Sequence, residues 1–359
     1  MLYPIIDFDK DNNNFISKDI EQDRCAAFGN RSVLNKWAGS NFWFQCDNGL
    51  GTENFYNPVT WSEVQGYSSA KYYWGEDTTK KLQNKDYIFG AAPFVYSEFL
   101  YDDPNPVKKL KTVFLPKSDY PFKTNIKQEG KELENLIETL MSFLSEDTIY
   151  IVYPLDLIEI YPEILPDEIA ERLFCFGYNG FDTSWVKRMN KVLRRSYKVY
   201  TPSQISSNAM YSTYFDVPIE FYDHNVYERG EIPEDEGERW WQEMTATIYT
   251  VVPDCKTQEW RDCMKHLKDS FASDGPDKYF WMSKFMSLDR LKTPEDLYHD
   301  LELLHQRFLT HHDEYPITDE LLPFKQPHDL YDQTKEKCDR IIEKAKGVSD
   351  TALKYFKEL

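Results

Sequence analysis

The chain has 359 residues, 41% of them hydrophobic and 16% aromatic, which allows two domains with a sizeable core and excludes general disorder. A formal charge of -19 excludes an extended nucleic-acid surface, because a phosphate backbone would be repelled by most of the protein. No apolar run approaches the roughly 20 residues that span a bilayer, so a transmembrane segment is not expected.

The opening MLYPIIDFDKDNNN lacks the basic region and apolar core of a signal peptide. Asp7-Phe8-Asp9 has the spacing of a carboxylate pair on one face of a strand, but the polar run that follows reads as a loop, and no metal is expected there. Asn41 to Cys46 and Tyr87 to Ala91 read as strands ending in polar or glycine-bearing turns. From Lys109 the rhythm sharpens: KLKTVFLP is a strand, Lys127 to Leu144 an amphipathic helix, TIYIVYPL a strand, Pro166 to Arg172 a short helix, and LFCFGYNG a strand ending in a glycine turn. A helix from Ser184 to Arg194, a strand from Tyr197 to Tyr200, a helix from Ser207 to Phe215 and a strand from Pro218 to Tyr222 follow. Strands alternating with helices give an α/β fold with parallel order, and ligands of such sheets sit beyond the carboxyl ends of the strands.

That rule gathers several polar turns: Pro116-Lys117-Ser118-Asp119, Asp156, Gly177-Tyr178-Asn179-Gly180, and the run from Ser203 through Ser206 and Ser207 to Asn208. The last is the most informative, because hydroxyl and amide side chains lead directly into a helix whose first N–H groups and dipole favour a phosphate. The bland reading of Ser206 or Ser207 is a simple helix cap, with about equal weight on the residues alone. Glycines at 177 and 180 would let the backbone approach a ligand, and Lys117 could neutralise a phosphate. The cationic run Lys187, Arg188, Lys191, Arg194 and Arg195 reads more often as a solvated helix face than as an anionic path. Six cysteines are scattered without a CxxC pair, which fits a reducing, cytoplasmic compartment rather than a disulfide framework or zinc site.

After Glu228 the acidic stretch ERGEIPEDEGERWWQE interrupts the α/β rhythm, and from Thr257 the chain reads as helices. Thr293-Pro294-Glu295-Asp296 is a good helix start, with a hydroxyl cap, a proline in the first turn and early carboxylates. His311-His312-Asp313 lacks a third metal ligand at ordinary spacing and reads as a loop.

The order of these segments resembles the GT-B-type nucleotide-sugar glycosyltransferases that build bacterial capsules and other surface polysaccharides. Residues 85 to 223 carry the resemblance: IFGAAPFVY is similar to an "IGAPFxY" stretch, TVFLPKSDYP to "VFFPxHS", TIYIVYPLD to "ITVxLY", and YTPSQISSNAMYSTYFDVPIEFY to "TSNxIGTxxxYAxYLGxPV". FWFQCDNGLGT resembles a "WQHG" turn of the first half. Lys117 and Asp47-Asn48 stand where the family has histidine, and all seven histidines fall at or after His224, so a base in the N-terminal half would be a carboxylate or tyrosine.

The resemblance implies two Rossmann-like domains facing across a cleft, with a helical C-terminal extension. An acceptor-side domain would cover 1-108, a nucleotide-sugar domain 109-256, and helices bracing both 257-359. It implies a metal-independent glycosyltransferase using a UDP-, GDP- or CMP-type nucleotide-sugar donor and a glycan or other hydroxyl acceptor. Asp47 would be the base; Lys117, Ser118, Gly177, Tyr178, Ser203, Ser206, Ser207 and Asn208 would hold the donor. For Asp47 the commoner reading is a residue hydrogen-bonding its own turn. Other classes remain open: a catalytically inactive glycan- or nucleotide-binding protein, a structural or assembly protein, and a nucleotide-sugar epimerase.

Overall fold

Residues of alternating direction along five short, apolar strands build the centre of the molecule. They are β4 (Leu110–Phe114), β6 (Thr148–Val152), β7 (Leu173–Cys175), β8 (Ser196–Pro202) and β9 (Ile219–Tyr222), all parallel, in the order β7-β6-β4-β8-β9. The computed structural model describes residues 29–46, 71–74, 88–97, 106–116, 125–126, 129–152, 157–175, 185–202, 207–223, 227–228, 258–311 and 328–358. Val113, Leu115, Tyr150, Val152, Leu173 and Tyr222 point to one face of the sheet, while Phe114, Ile151, Val199 and Ile219 point to the other, as the two-residue period of a strand requires.

Helices cover both faces, which is why the strands are apolar on both sides. The first face packs on α3 (Lys131–Ser142), α4 (Leu157–Ile164) and α5 (Asp167–Ala170) through Leu136, Leu140, Tyr161 and Ile169. The second packs on α6 (Trp185–Arg195), α7 (Ser207–Tyr214) and α8 (Gln258–Ala272). Several buried hydroxyls at the sheet are engaged with carbonyls or each other: Tyr150 donates to Leu140, Tyr161 to Pro116 at 2.7 Å, Tyr222 to Phe114 at 2.5 Å, and Thr112 pairs with Ser196 at 2.8 Å. Burial pushes the Tyr150 phenol up to about 12, so it remains a donor.

A second parallel sheet, of order β1-β2-β3, is made by β1 (Gln45–Cys46), β2 (Lys71–Tyr73) and β3 (Ile88–Phe89). It is flanked in sequence by α1 (Asn30–Ala38) and α2 (Pro93–Ser97), and a separate antiparallel pair joins β5 (Asn125–Ile126) to β10 (Tyr227–Glu228). Gly90, between β3 and α2, is required by close approach: a Cβ there would lie 2.0 Å from the Tyr72 hydroxyl, which donates to the Ala91 carbonyl.

The C-terminal helices are α9 (Pro276–Phe285), α10 (Pro294–His311), α11 (His328–Lys344) and α12 (Asp350–Glu358), with a 3-10 turn at Leu288–Arg290. Thr293 caps α10 as its sequence predicts, its hydroxyl accepting from the Asp296 amide. This layer closes the core of the small sheet. The Trp37 indole donates to the Lys292 carbonyl, the Trp43 amide to His305 Nδ1, and the Ala91 and Ala92 amides to the carbonyls of Arg290 and Met286. Phe42 meets Tyr298 edge-on and Trp43 stacks on Phe308. One apolar core therefore runs from α1 through α2, α6 and α7 to α11.

Where the sequence predicts elements within the described residues, the boundaries differ by a few residues. The helices α1, α2 and α4 and the strand β2 are among the elements that were not predicted. Lys191 and Arg194 depart from the solvated-face reading: they are 7% and 8% exposed, because α6 is wedged between α2, α7 and β4.

Candidate functional site

Chain order and sheet order diverge at one place. From β4 the chain builds outward to β6 and β7, then returns to the opposite side of β4 for β8 and β9. The crossovers that follow β4 and β8 consequently leave in opposite directions, and it is between the carboxyl ends of two such neighbours that sheets of this kind have their ligand crevice. The last described residues at those exits are Pro116 and Pro202. Lys117 and Ser118 follow the first, Ser203 and Ser206 the second; these four lie outside the described residues, as do Gly177 and Tyr178 after β7.

Ser207 and Asn208 are described, as the first two residues of α7, both half-buried. The first N–H groups of any α-helix lack intrahelical acceptors, so the start of α7, next in the chain after the β8 exit, can offer donors to an anion. The helix is fixed behind them. Ser212 and Thr213 donate to the carbonyls of Asn208 and Ala209, which satisfies two buried hydroxyls on the helix itself. At its far end Asp216, in the left-handed region at φ 50, accepts from Lys344 at 2.8 Å and from the Tyr279 hydroxyl at 3.0 Å. Partial burial opposes ionisation of Asp216, but the Lys344 ammonium prevails and holds the carboxyl below its usual range. Lys337 lies 3.9 Å over the Tyr214 ring.

Tyr211, one turn beyond Ser207, joins α7 to the helix that follows the small sheet. Its ring stacks on Phe94 of α2 with centroids 3.7 Å apart and planes 4° from parallel. Burial raises its phenol well above the ordinary value, opposed by hydrogen bonding with the Ser207 side chain and reinforced by the nearby Cys46 thiol. Cys46 ends β1, and Asp47, the candidate base, is the next residue, outside the described ones. Tyr211 of α7 and Cys46 of β1 thus belong to one apolar core. Sequence reasoning passed over this tyrosine, although its i,i+4 spacing from Ser207 was visible.

At the same end of the small sheet, Tyr72 and Tyr96 are hydrogen-bonded to each other, and Tyr96 also accepts from the Lys292 amide. Burial raises both phenols, so both keep their protons. Among the described residues no group of three His, Cys, Asp or Glu side chains could hold a metal ion, and no helix is long and apolar enough to cross a membrane. The pair Asp7 and Asp9, and residues 229 to 243 of the acidic segment, lie outside the described residues. Cys46, Cys263 and Cys338 are buried in the core and form no disulfide.

Two histidines give the helical layer a pH dependence. His266 is held below the ordinary imidazole range by burial, against the opposing pull of Asp277 3.6 Å away; His305 is lowered by burial against its bond to Trp43. In each case the folded state prefers the neutral ring, so on acidification the unfolded chain takes up protons first. Stability from these two sites is complete above about pH 6.5, the ordinary imidazole value, and declines as pH falls through it toward the lowered folded values. Thermal melts at pH 7.5 and 5.5 are expected to show a lower Tm at the acidic value, reduced in the His266→Gln/His305→Gln double variant. An equal pH response in wild type and double variant would contradict this assignment.

No protein-family model matches the chain, and no curated protein or solved structure matches it.

Proposed function

We propose that the chain is a glycosyltransferase that moves a sugar from a nucleotide-activated donor to a glycan or other hydroxyl acceptor, without a metal, between two α/β halves arranged in the GT-B manner. The observation that carries this reading is the strand order, in which β4 and β8 are neighbours whose crossovers run to opposite sides, with α7 following β8 and its Tyr211 stacked on Phe94 of α2. The start of α7 offers helix N–H groups for a phosphate, and β1 is the strand whose end leads to Asp47.

In this reading Ser203, Ser206, Ser207 and Asn208 grip the donor phosphate, helped by Lys117 and Ser118, while Gly177 and Tyr178 line the nucleotide's path. Asp47 takes the proton of the acceptor hydroxyl as its oxygen bonds to the anomeric carbon and the sugar–phosphate bond breaks. The electron pair leaves with the nucleotide phosphate, where N–H groups and Lys117 stabilise it. A cytoplasmic location supplies such donors.

A thermal-shift screen of UDP, GDP, CMP and dTDP derivatives tests this. At least one nucleotide is expected to raise Tm, by the equivalent of about 2.7 kcal/mol at a hundredfold excess over Kd. The Ser206→Ala/Ser207→Ala variant is expected to lose that response while keeping the Tm of the free protein. Silence toward every nucleotide would overturn the donor assignment.

A further inference from the structure

Trp74 stands one residue beyond the carboxyl end of β2, in the register position beside Gly90 on β3. Strand alternation sends Tyr73 to the opposite face, against Phe89, and Trp74 to the same side as Tyr72, into the core shared with Cys46, Phe94 and Tyr211. The indole is 2% exposed, and its Nε1 donor has no hydrogen-bond partner among the described residues. Buried donors are almost always paired, because an unpaired one forfeits its hydration. The Trp281 indole also lacks a partner among the described residues, but Phe280, Phe285 and Phe356 enclose it in the helical layer, away from any strand end. Trp74 instead occupies the edge at which a parallel sheet presents its ligands.

The neighbouring polar groups are already committed. The Tyr72 hydroxyl serves the Ala91 carbonyl and Tyr96, the Tyr96 hydroxyl receives the Lys292 amide, and the Gly90 amide serves the Tyr73 carbonyl. Both tyrosines stay neutral, and the Lys292 ammonium is taken by Asp300. The indole N–H is a neutral donor in neutral surroundings, suited to a hydroxyl or ring oxygen rather than to a phosphate.

We propose that Trp74 is a ligand-binding residue whose indole N–H donates to an oxygen of an uncharged, hydroxyl-rich ligand at the carboxyl edge of the small sheet. Calling that ligand the acceptor rests on the transferase reading; the site itself does not. The test follows the indole N–H resonances of 15N-labelled full-length protein by TROSY NMR, with Trp74→Phe identifying the Trp74 peak. Methyl hexosides and the disaccharides lactose, maltose and cellobiose serve as millimolar probes. At least one probe is expected to move the Trp74 peak in a saturable way, and Trp74→Phe is expected to weaken that probe's binding tenfold or more, followed by the remaining shifted resonances.

A Trp74 peak unmoved by every probe, or binding undiminished in Trp74→Phe, overturns the proposal. Should Trp74→Phe not fold, Trp74→Tyr identifies the peak and the wild-type titration decides. The nucleotide screen on the same samples separates the two ideas. Nucleotide stabilisation with an inert Trp74 peak rejects this site alone, whereas a responsive Trp74 peak without any nucleotide effect rejects the donor reading and leaves the site standing.

Discussion

Asp47→Asn is expected to lower sugar transfer by about 10²–10⁴-fold, the range that a positioned general base contributes. The amide keeps the size of the carboxylate and one of its two acceptor oxygens, so the fold and the small sheet should be unaffected. Nucleotide stabilisation should also survive, since the phosphate-gripping residues follow β4, β7 and β8 rather than β1. The loss should fall on kcat with little change in donor KM, because a base acts in the transition state more than in donor binding. Release of nucleotide from a nucleotide sugar, measured with and without acceptor, reads the effect. Full transfer by Asp47→Asn would remove Asp47 as the base and leave the turn-forming role as its explanation.

Phe94→Ala is expected to cost about 3–5 kcal/mol of folding stability, the range for deleting a fully buried aromatic ring. Phe94 is inaccessible and sits at the crossing of the two sheets' flanking helices. It stacks on Tyr211 and meets Tyr214 and Phe215 edge-on, with centroids 6.1 and 5.5 Å away. Such pairs add about 0.5–1.5 kcal/mol beyond the area they bury. With total stabilities of about 5–15 kcal/mol, the variant would stand close to unfolding at physiological temperature. Urea denaturation measures the loss, and Phe94→Leu should retain a substantial part of it. A cost under about 1 kcal/mol would mean that α2 and α7 do not depend on this contact. In a variant that still folds, Tyr211 loses its stacking partner, so nucleotide affinity should fall together with stability.

Much of the main sheet was legible because its residues satisfy several rules at once. In TIYIV every residue is β-branched or aromatic, and in KELENLIETLMS the apolar residues return every three or four positions, so strand and helix were assigned with small errors at the ends. The helix Leu157–Ile164 escaped because Pro162 lies inside it and argues for a turn; packing of Tyr161 beneath the sheet overrides that local preference. The strand Lys71–Tyr73 is too short to show a period, and only pairing with β1 and β3 defines it. Parallel order could be read from the alternation of elements, but not the sheet order, because tertiary packing decides on which side of β4 the returning strand is laid. Yet that order is what makes the turns after β4 and β8 neighbours. Ser207 and Asn208 were recognised by their hydroxyl and amide chemistry. Tyr211 and Trp74 were not, since an aromatic residue in an apolar run reads as core until its polar atom and its neighbours are known.

The bonds between the Trp43 amide and His305, and between the Trp37 indole and Lys292, span 262 and 255 positions of sequence. The main sheet closes within far shorter separations, such as the 84 positions between Thr112 and Ser196. On the ribosome the two regions therefore mature in reverse of their order of synthesis: the central sheet can form as soon as Tyr222 has emerged, while the first hundred residues hold aromatic surface open until α10 arrives. Nascent chains stalled before residue 290 should present that surface to chaperones, and the last helices act as the late step that removes the chain from their reach.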